Sequence, residues 1–251
     1  MRYAVKFAYD GTKFQGYARQ PQLKTVEGDI IGALIKYGII KDAKVAIFRS
    51  ASRTDKDVSA LGNVFALNTQ DSKINIIQDL NKELKDILVY GIKDVETDFY
   101  PRYAKYRIYR YYLKSNNIDV SKLLSAASSF TGEHNFSNFA RIEVFKDPIR
   151  TIDNIVVTGK NSFVIIDFYA QTYLWHQIRR IVSAMEKVGQ GSLDIEQIVE
   201  ALHNPNKKID FGLAPAEPLI LKDIIYNFEF ENDKQYVKIL NDLEKKIISR
   251  L

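Results

Sequence analysis

The chain has 251 residues, enough for one large domain or two modest ones, and 46% hydrophobic residues can supply a sizeable core. It contains no Cys, which excludes disulfides, thiolate metal sites and a cysteine nucleophile, and its three His are too scattered to predict a metal site. A net charge of +5, from 36 Lys and Arg against 31 Asp and Glu, permits a nucleic-acid partner without requiring one. With neither a long apolar run nor a signal peptide, the sequence predicts a cytoplasmic protein without a membrane segment.

The first stretch, residues 2–9, alternates between aromatic or branched residues and smaller or charged ones, which predicts a strand with one solvated or ligand-facing side. Asp10-Gly11-Thr12 follows and is typical of a turn. The order strand then Asp-Gly-Thr also occurs in haloacid-dehalogenase-type phosphatases, where a nucleophilic Asp stands two residues before the turn. Ala8 occupies that position here, and a methyl group cannot act as a nucleophile. The phosphatase is therefore excluded.

A Gly-punctuated loop, residues 14–21, comes next. Around it stand Lys13, Tyr17 and Arg19, residue types that contact phosphates and bases, although an ordinary surface loop explains them equally well. Thr25 is a predicted N-cap for an amphipathic core helix that ends near Gly38.

The segment Ala51–Ala60 lies between two apolar runs, residues 44–48 and 63–67, that are predicted to be strands. It is therefore expected to be a loop at a sheet end, a common location for catalytic groups. Within it, Asp55 stands two residues after Arg53, with Thr54 between them as a possible hydrogen-bond partner. An ordinary polar turn is the competing interpretation.

A second amphipathic helix is predicted over residues 72–87, and Pro101 suggests a boundary between domains at 1–104 and 105–251. Residues 105–114 then predict a strand with Arg107, Tyr109 and Tyr111 on one face. Aromatic residues interleaved with Arg can stack a base and hold its phosphate, but Tyr is also a favourable strand residue in any protein.

The remaining chain predicts further helices and strands. The expected elements are helices at 120–130 and 195–203, a hairpin of strands 154–159 and 162–170 with a turn at Gly159-Lys160-Asn161, a strand at 224–230 and an amphipathic C-terminal helix. Residues 174–185 predict another helix with one buried apolar face. Arg179 falls at the edge of that face, and Arg180 points nearly opposite, towards solvent.

Residues 51–60 resemble the nucleophile loop of the TruA-type tRNA pseudouridine synthases, whose pattern is approximately Ala-Gly-Arg-Thr-Asp-Ala-Gly-Val-His-Ala. Ser52 and Asp57 replace its two glycines, and Ser59 replaces its His. Other stretches are similar to family motifs in the same order: residues 9–21, Arg107-x-Tyr109-x-Tyr111, the helix carrying Arg179, and residues 214–221, in which Pro218 replaces a Gly.

The resemblance implies an α+β fold of two sheet-and-helix halves, with mostly antiparallel strands forming a central sheet, an RNA cleft between the halves, and a homodimer. It implies conversion of uridine to pseudouridine in the anticodon stem-loop region of tRNA, without cofactor or metal. Asp55 would be the nucleophile, Tyr109 would lie against the uracil, and Arg179 would pair with Asp55. The residues implied to contact RNA are Arg53, Lys13, Tyr17, Arg19, Arg107, Arg180 and Leu219.

Two alternatives remain open at this stage. One is a non-catalytic RNA-binding module that kept the fold. The other is a pseudouridine synthase that acts on a different RNA.

Overall fold

The computed structural model describes residues 1–160 and 162–251, which form eleven strands and six α-helices in those ranges. In chain order these are β1 (Arg2–Tyr9), α1 (Val26–Lys36), β2 (Arg49–Ser50), β3 (Ser59–Asn68), α2 (Lys73–Glu83), β4 (Ile87–Val95), β5 (Tyr106–Lys114), α3 (Val120–Phe130), β6 (Gly132–Asn135), β7 (Ile149–Ile152), β8 (Asn154–Lys160), β9 (Phe163–Ala170), α4 (Gln177–Gly189), α5 (Ile195–His203), β10 (Leu219–Ile225), β11 (Glu231–Asn232) and α6 (Lys234–Ile248). No helix in these described ranges has the length and apolar character needed to cross a membrane.

The elements belong to two units, one formed by Met1–Lys105 with Ile220–Leu251 and the other by Tyr106–Leu219. The sequence predicted a boundary at residue 105 with everything after it in the second half. In the structure, residues 220–251 pack with the first unit instead. The physical reason is strand pairing, because β10 lies parallel to β3 and β11 lies antiparallel to β4.

The first unit is a sheet in the order β11-β4-β1-β3-β10, with β2 paired to the edge of β3. Every pairing in it is antiparallel except that of β3 with β10. Helix α2 packs on β4, α1 packs on α2, and α6 packs on β4 and β3. The mixed α+β class with mostly antiparallel strands is confirmed.

Strand β1 has the predicted bounds, but the side predicted to be solvated or ligand-facing is largely buried. The strand lies between β3 and β4, and seven of its eight residues are buried. Even Arg2 is only 4% exposed, and its guanidinium donates to the Phe99 carbonyl and to Asn68 Oδ1. A charged side chain is thus tolerated inside because each of these N–H groups has an acceptor.

Two other local predictions in this unit are wrong. Residues 44–47 form turns instead of a strand, because Asp42 Oδ1 accepts hydrogen bonds from the backbone N–H groups of Lys44 and Val45. The second helix ends at Glu83, and Ile87 begins β4, which sequence reasoning missed. An apolar residue at helical spacing cannot be distinguished from the first residue of a buried strand by periodicity alone.

The second unit contains a three-stranded antiparallel sheet in the order β5-β9-β8 and a small antiparallel pair, β6 with β7. Helix α3 packs against α4, α5 and β8. The predicted helices α3 and α5 have the expected bounds, as does β5 within one residue. The hairpin of β8 and β9 is confirmed, although Asn161 of its predicted turn lies outside the described residues.

Three details of the C-terminal elements differ from expectation. Helix α4 begins at Gln177 instead of Leu174, because His176 adopts a left-handed backbone with φ 62°. Strand β7 was not anticipated. The closing strand is β10, Leu219–Ile225, instead of residues 224–230, because only the earlier residues pair with β3.

Candidate active site

Asp55 lies in the loop between β2 and β3, as the sequence predicted, and hydrogen bonds hold this loop on both sides of Asp55. Ahead of Asp55, Thr54 shares a 2.8 Å hydrogen bond with the Tyr9 hydroxyl, and its carbonyl accepts from the Tyr17 N–H at 3.2 Å. Behind it, the Val58 N–H donates to the Asp55 carbonyl at 3.3 Å. Asp55 itself is half-buried. The backbone around Asp55 is therefore held in place, while the residue stays partly accessible.

The Asp10-Gly11-Thr12 turn packs directly against the loop that carries Asp55. A Cβ at Gly11 would lie 2.3 Å from the carbonyl carbon and oxygen of Val58, so a side chain cannot be accommodated there. The Gly11 N–H donates to Ser59 Oγ at 3.0 Å. The motif that first suggested a phosphatase therefore supports the Asp55 loop.

Three departures from the family loop, at Ser52, Asp57 and Ser59, are each accommodated. Asp57 has φ 68°, the left-handed region that Asp tolerates better than most residues. Ser52 is absent from the described non-glycine residues with positive φ, and its carbonyl accepts from Asn63 Nδ2 at 3.0 Å. Ser59, at the family's His position, is the acceptor for Gly11. Only Asp57 thus takes up a conformation that favours glycine.

Asp10 is tied to the C-terminal end of the chain. Arg250 pairs with it through both terminal nitrogens, Nη2 donating to Asp10 Oδ1 at 2.8 Å and Nη1 to Asp10 Oδ2. Asp10 Oδ1 also accepts from the Thr12 N–H at 3.1 Å and the Thr12 hydroxyl at 2.8 Å. Burial opposes ionisation of Asp10, but the hydrogen bonds and the Arg250 charge outweigh it, and the pKa of Asp10 lies below its usual value.

The cationic residues predicted around Asp55 lie at the surface. Lys13, Arg19 and Arg53 are exposed, although Arg19 lies 3.8 Å from the Glu27 carboxylate. Tyr17 differs from the expectation of a presented residue. It is 1% exposed and packs beside Phe7 and Tyr9, and burial raises its pKa well above the usual value. Its ring therefore belongs to the core of the first unit.

Tyr109 lies on β5 in the second unit, on the same strand face as Arg107 and Tyr111, as predicted. Its ring is 8% exposed and meets Tyr173 edge-on at 5.3 Å between ring centroids. Arg107 is buried, and its Nη1 donates to the Gln171 carbonyl. Sequence reasoning missed Tyr173, because it precedes α4 in an irregular segment where no periodic pattern indicates what it contacts.

Arg179 is joined to the segment that precedes β10 by two reciprocal hydrogen bonds. Its Nε donates to the Ala214 carbonyl at 2.8 Å, and the Ala214 N–H donates to the Arg179 carbonyl at 3.1 Å. The next residue, Pro215, accepts from the Tyr111 hydroxyl at 3.2 Å. Ala214 and Pro215 thus link the Arg179 helix to the strand that carries Tyr109.

The Tyr111 phenol is held neutral in this arrangement. Burial raises its pKa above the usual value, Glu186 acts in the same direction, and Arg179 acts against them. A neutral phenol can donate to the Pro215 carbonyl, which a phenolate could not do. Leu219, which lies four residues after Pro215, is buried, with 6% of its surface exposed.

The helical position of Arg180 predicted that its side chain points into open solvent, but the structure differs. Its side chain is 24% exposed, and Nη1 donates to Asp210 Oδ1 at 2.8 Å. The Gly212 N–H also donates to that carboxylate, and together the two lower the pKa of Asp210. Arg180 is therefore paired with an acid, unlike the exposed Lys13 and Arg53.

The structure thus places Tyr109 and Arg179 in the second unit and Asp55 in the first. The pairing of Arg179 with Asp55 stays a prediction. Among the described residues, no group of three or more His, Cys, Asp or Glu side chains is arranged to hold a metal ion.

Comparison with known proteins agrees with these motifs. A family model described as tRNA pseudouridine synthase matches residues 126–227. A Thermococcus sibiricus protein named tRNA pseudouridine synthase A is 46% identical over 237 residues, covering 93% of this chain and 88% of its own. The Pyrococcus furiosus protein of the same name is 42% identical over 255 residues, covering 100% of this chain and 92% of its own. The Methanocorpusculum labreanum protein, also of this name, is 36% identical over 249 residues, covering 98% of this chain and 87% of its own. The chain belongs to the tRNA pseudouridine synthase family.

Proposed function

We propose that this chain isomerises uridine to pseudouridine in the anticodon stem-loop region of tRNA, with Asp55 as the nucleophile. The observation that carries the proposal is the intact Arg53-Thr54-Asp55 sequence on a loop that hydrogen bonds hold in place, in a chain 36–46% identical to proteins named tRNA pseudouridine synthase A. We further propose that the enzyme works in the cytoplasm and as a homodimer.

The reaction breaks the bond between the ribose C1′ and N1 of uracil and forms a bond between C1′ and C5. The uridine first leaves the base stack, which costs a few kcal/mol in a duplex and less in a loop. Asp55 attacks the sugar or the base and loosens the glycosidic bond, and the detached ring turns so that C5 faces the sugar. C5 then loses its proton and N1 gains one. The product is an isomer of the substrate, so the step needs no oxidant or reductant.

The other two predicted residues have supporting roles in this scheme. Tyr109 lies against the uracil, and its ring is fixed by the edge-on contact with Tyr173. Arg179 pairs with the Asp55 carboxylate, and Ala214 holds the guanidinium through Nε. A fixed guanidinium loses little conformational freedom when it pairs, which is what preorganised electrostatic catalysis requires.

The exposed cations supply the RNA contacts in this proposal. Lys13 and Arg53 are available to phosphates, and Arg19 and Arg180 can exchange a neighbouring carboxylate for one. Arg107 and Leu219 are buried, so they act by shaping the walls around the uracil.

The test is release of tritium from tRNA labelled at C5 of uridine, measured for the wild-type chain, Asp55→Asn and Asp57→Asn. Asp55→Asn keeps the shape and loses the nucleophile, so release should fall below detection while tRNA affinity stays within about tenfold, roughly 1.4 kcal/mol. Asp57→Asn is the matched control. It lies in the same loop at φ 68°, a conformation that Asn also tolerates, and it should retain turnover.

The outcomes separate the alternatives. Tritium release by Asp55→Asn would remove Asp55 from the mechanism. A wild-type chain that binds tRNA without releasing tritium would be an RNA-binding module. Pseudouridine mapping after incubation with total RNA would reveal a synthase that acts on another RNA.

A further inference from the structure

Trp175 is the single tryptophan of the chain, and none of the roles above uses it. It lies two residues before α4, and 41% of its surface is exposed. Large aromatic rings are usually covered in folded proteins, and aromatic residues at the surface are enriched at binding sites. Its exposed surface is large enough to contact a ligand.

Arg141 holds the ring from one side. Its guanidinium carbon lies 4.2 Å from the centroid of the Trp175 ring, within the range of a cation–π interaction. The backbone fixes this arrangement, since the Arg141 N–H donates to the Trp175 carbonyl at 2.8 Å in an isolated antiparallel bridge. Arg141 is itself exposed. The two side chains therefore present a flat aromatic surface next to a fixed positive charge.

His176 completes the group. Its ring centroid lies 5.0 Å from that of Trp175, at an interplanar angle of 54°. Its backbone has φ 62° and ψ 5°, which few non-glycine residues adopt, and it is the N-cap of α4 without a side-chain capping bond. We call Arg141, Trp175 and His176 the aromatic–arginine cluster.

We propose that the aromatic–arginine cluster stacks an unpaired nucleobase of the tRNA, next to the uridine that is modified. The inference rests on the proposed function and names a part of the substrate that the same site holds. Trp175 lies two residues before α4, and Arg179 is in the first turn of that helix, so a base stacked on Trp175 lies near the helix end that carries the guanidinium assigned to Asp55. Every base has a π face, so this contact holds the strand with little regard to its sequence.

An RNA fits the cluster better than an apolar protein surface does. A guanidinium stacked on the ring is a common feature of single-strand recognition, where aromatic and Arg planes hold unstacked bases and the charge attracts the phosphate. A second copy of this chain would have to bury the charge of Arg141, which is costly without a paired acid.

Fluorescence offers a direct test, because all tryptophan emission comes from Trp175. The probe is the unmodified anticodon stem-loop oligoribonucleotide of a substrate tRNA, titrated into the full-length wild-type chain. A stacked base quenches indole fluorescence, so emission should fall saturably, with a midpoint that matches the KM for the same RNA in the tritium assay.

Variants give the second measurement. From the usual strength of base stacking, Trp175→Ala should raise KM about 5- to 100-fold and leave kcat within about threefold. Trp175→Phe, which keeps a π face, should recover most of the loss, and Arg141→Gln should raise KM as well. Tyr103→Ala removes another aromatic ring, 81% exposed, and should leave KM unchanged.

The results distinguish this proposal from the one on which it rests. Tritium release with no quenching would overturn the stacking role and leave the synthase intact. Quenching without tritium release would support the stacking role and refute the synthase. Emission that changes with protein concentration in the absence of RNA would show that copies of the chain cover Trp175, and would overturn the proposal.

Discussion

Removing Arg250 should destabilise the first unit, since this residue pairs with Asp10 across 240 positions of sequence. The Asp10 side chain is 6% exposed and that of Arg250 is 37% exposed. The pair thus lies between an exposed ion pair, which contributes about 0–1 kcal/mol, and a buried one, whose disruption costs about 3–5 kcal/mol. Because Thr12 still donates twice to the carboxylate, we expect Arg250→Leu to cost about 2 kcal/mol at pH 7.

The pH dependence provides a sharper test. Asp10 has a lowered pKa in the folded chain, so its stabilisation is present above the unfolded value, about 3.9, and is lost as pH falls through the folded value. The difference in unfolding free energy between wild type and Arg250→Leu should therefore be full at pH 7 and shrink below about pH 4.

The assay is urea unfolding at pH 7 and below about pH 4, with a double-mutant cycle of Arg250→Leu and Asp10→Asn. The cycle should give a coupling of about 1–3 kcal/mol. Lys245→Leu is the control, because its pair with Asp242 is exposed at both ends, 79% and 77%, and its removal should cost under about 0.5 kcal/mol. A coupling below about 0.5 kcal/mol, or a difference that grows on acidification, would refute the reasoning.

Two further predictions concern the site. Gly11→Ala should destabilise the chain by about 3 kcal/mol or more and abolish turnover, because its Cβ would overlap the Val58 carbonyl. The control is Gly32→Ala, in α1 with open space around it, which should stabilise the chain by about 0.5–1 kcal/mol. Equal effects of the two substitutions in thermal unfolding would contradict the assigned contact. Arg179→Leu should lower kcat at least about 100-fold, the usual loss when a preorganised charge is removed, whereas Arg180→Leu should mainly raise KM. Similar kcat and KM values for the two variants in the tritium assay would exclude Arg179 from the site.

Local signals in the sequence were sufficient where an element defines its own ends. Helix α1 begins after Thr25, whose hydroxyl accepts from the Gly28 N–H, and α3 begins after Asp119, whose carboxylate accepts from two backbone N–H groups. These caps and a 3.6-residue apolar period are short-range features, so they can be read directly from the chain. The loop position of Asp55 followed from its polar residues between apolar runs, and its family from the motif.

Tertiary structure decided everything that depends on a distant partner. The sequence gives no indication that the strand bearing Arg2 is covered on both faces, or that Tyr17 is packed inside. The C-terminal helix had no predictable partner, yet it packs on β3 and β4 and places Arg250 against Asp10. The Arg250–Asp10 pair joins residues 240 positions apart, and the free energy that selects such contacts arises only when the sheet has formed, so a local pattern cannot encode them.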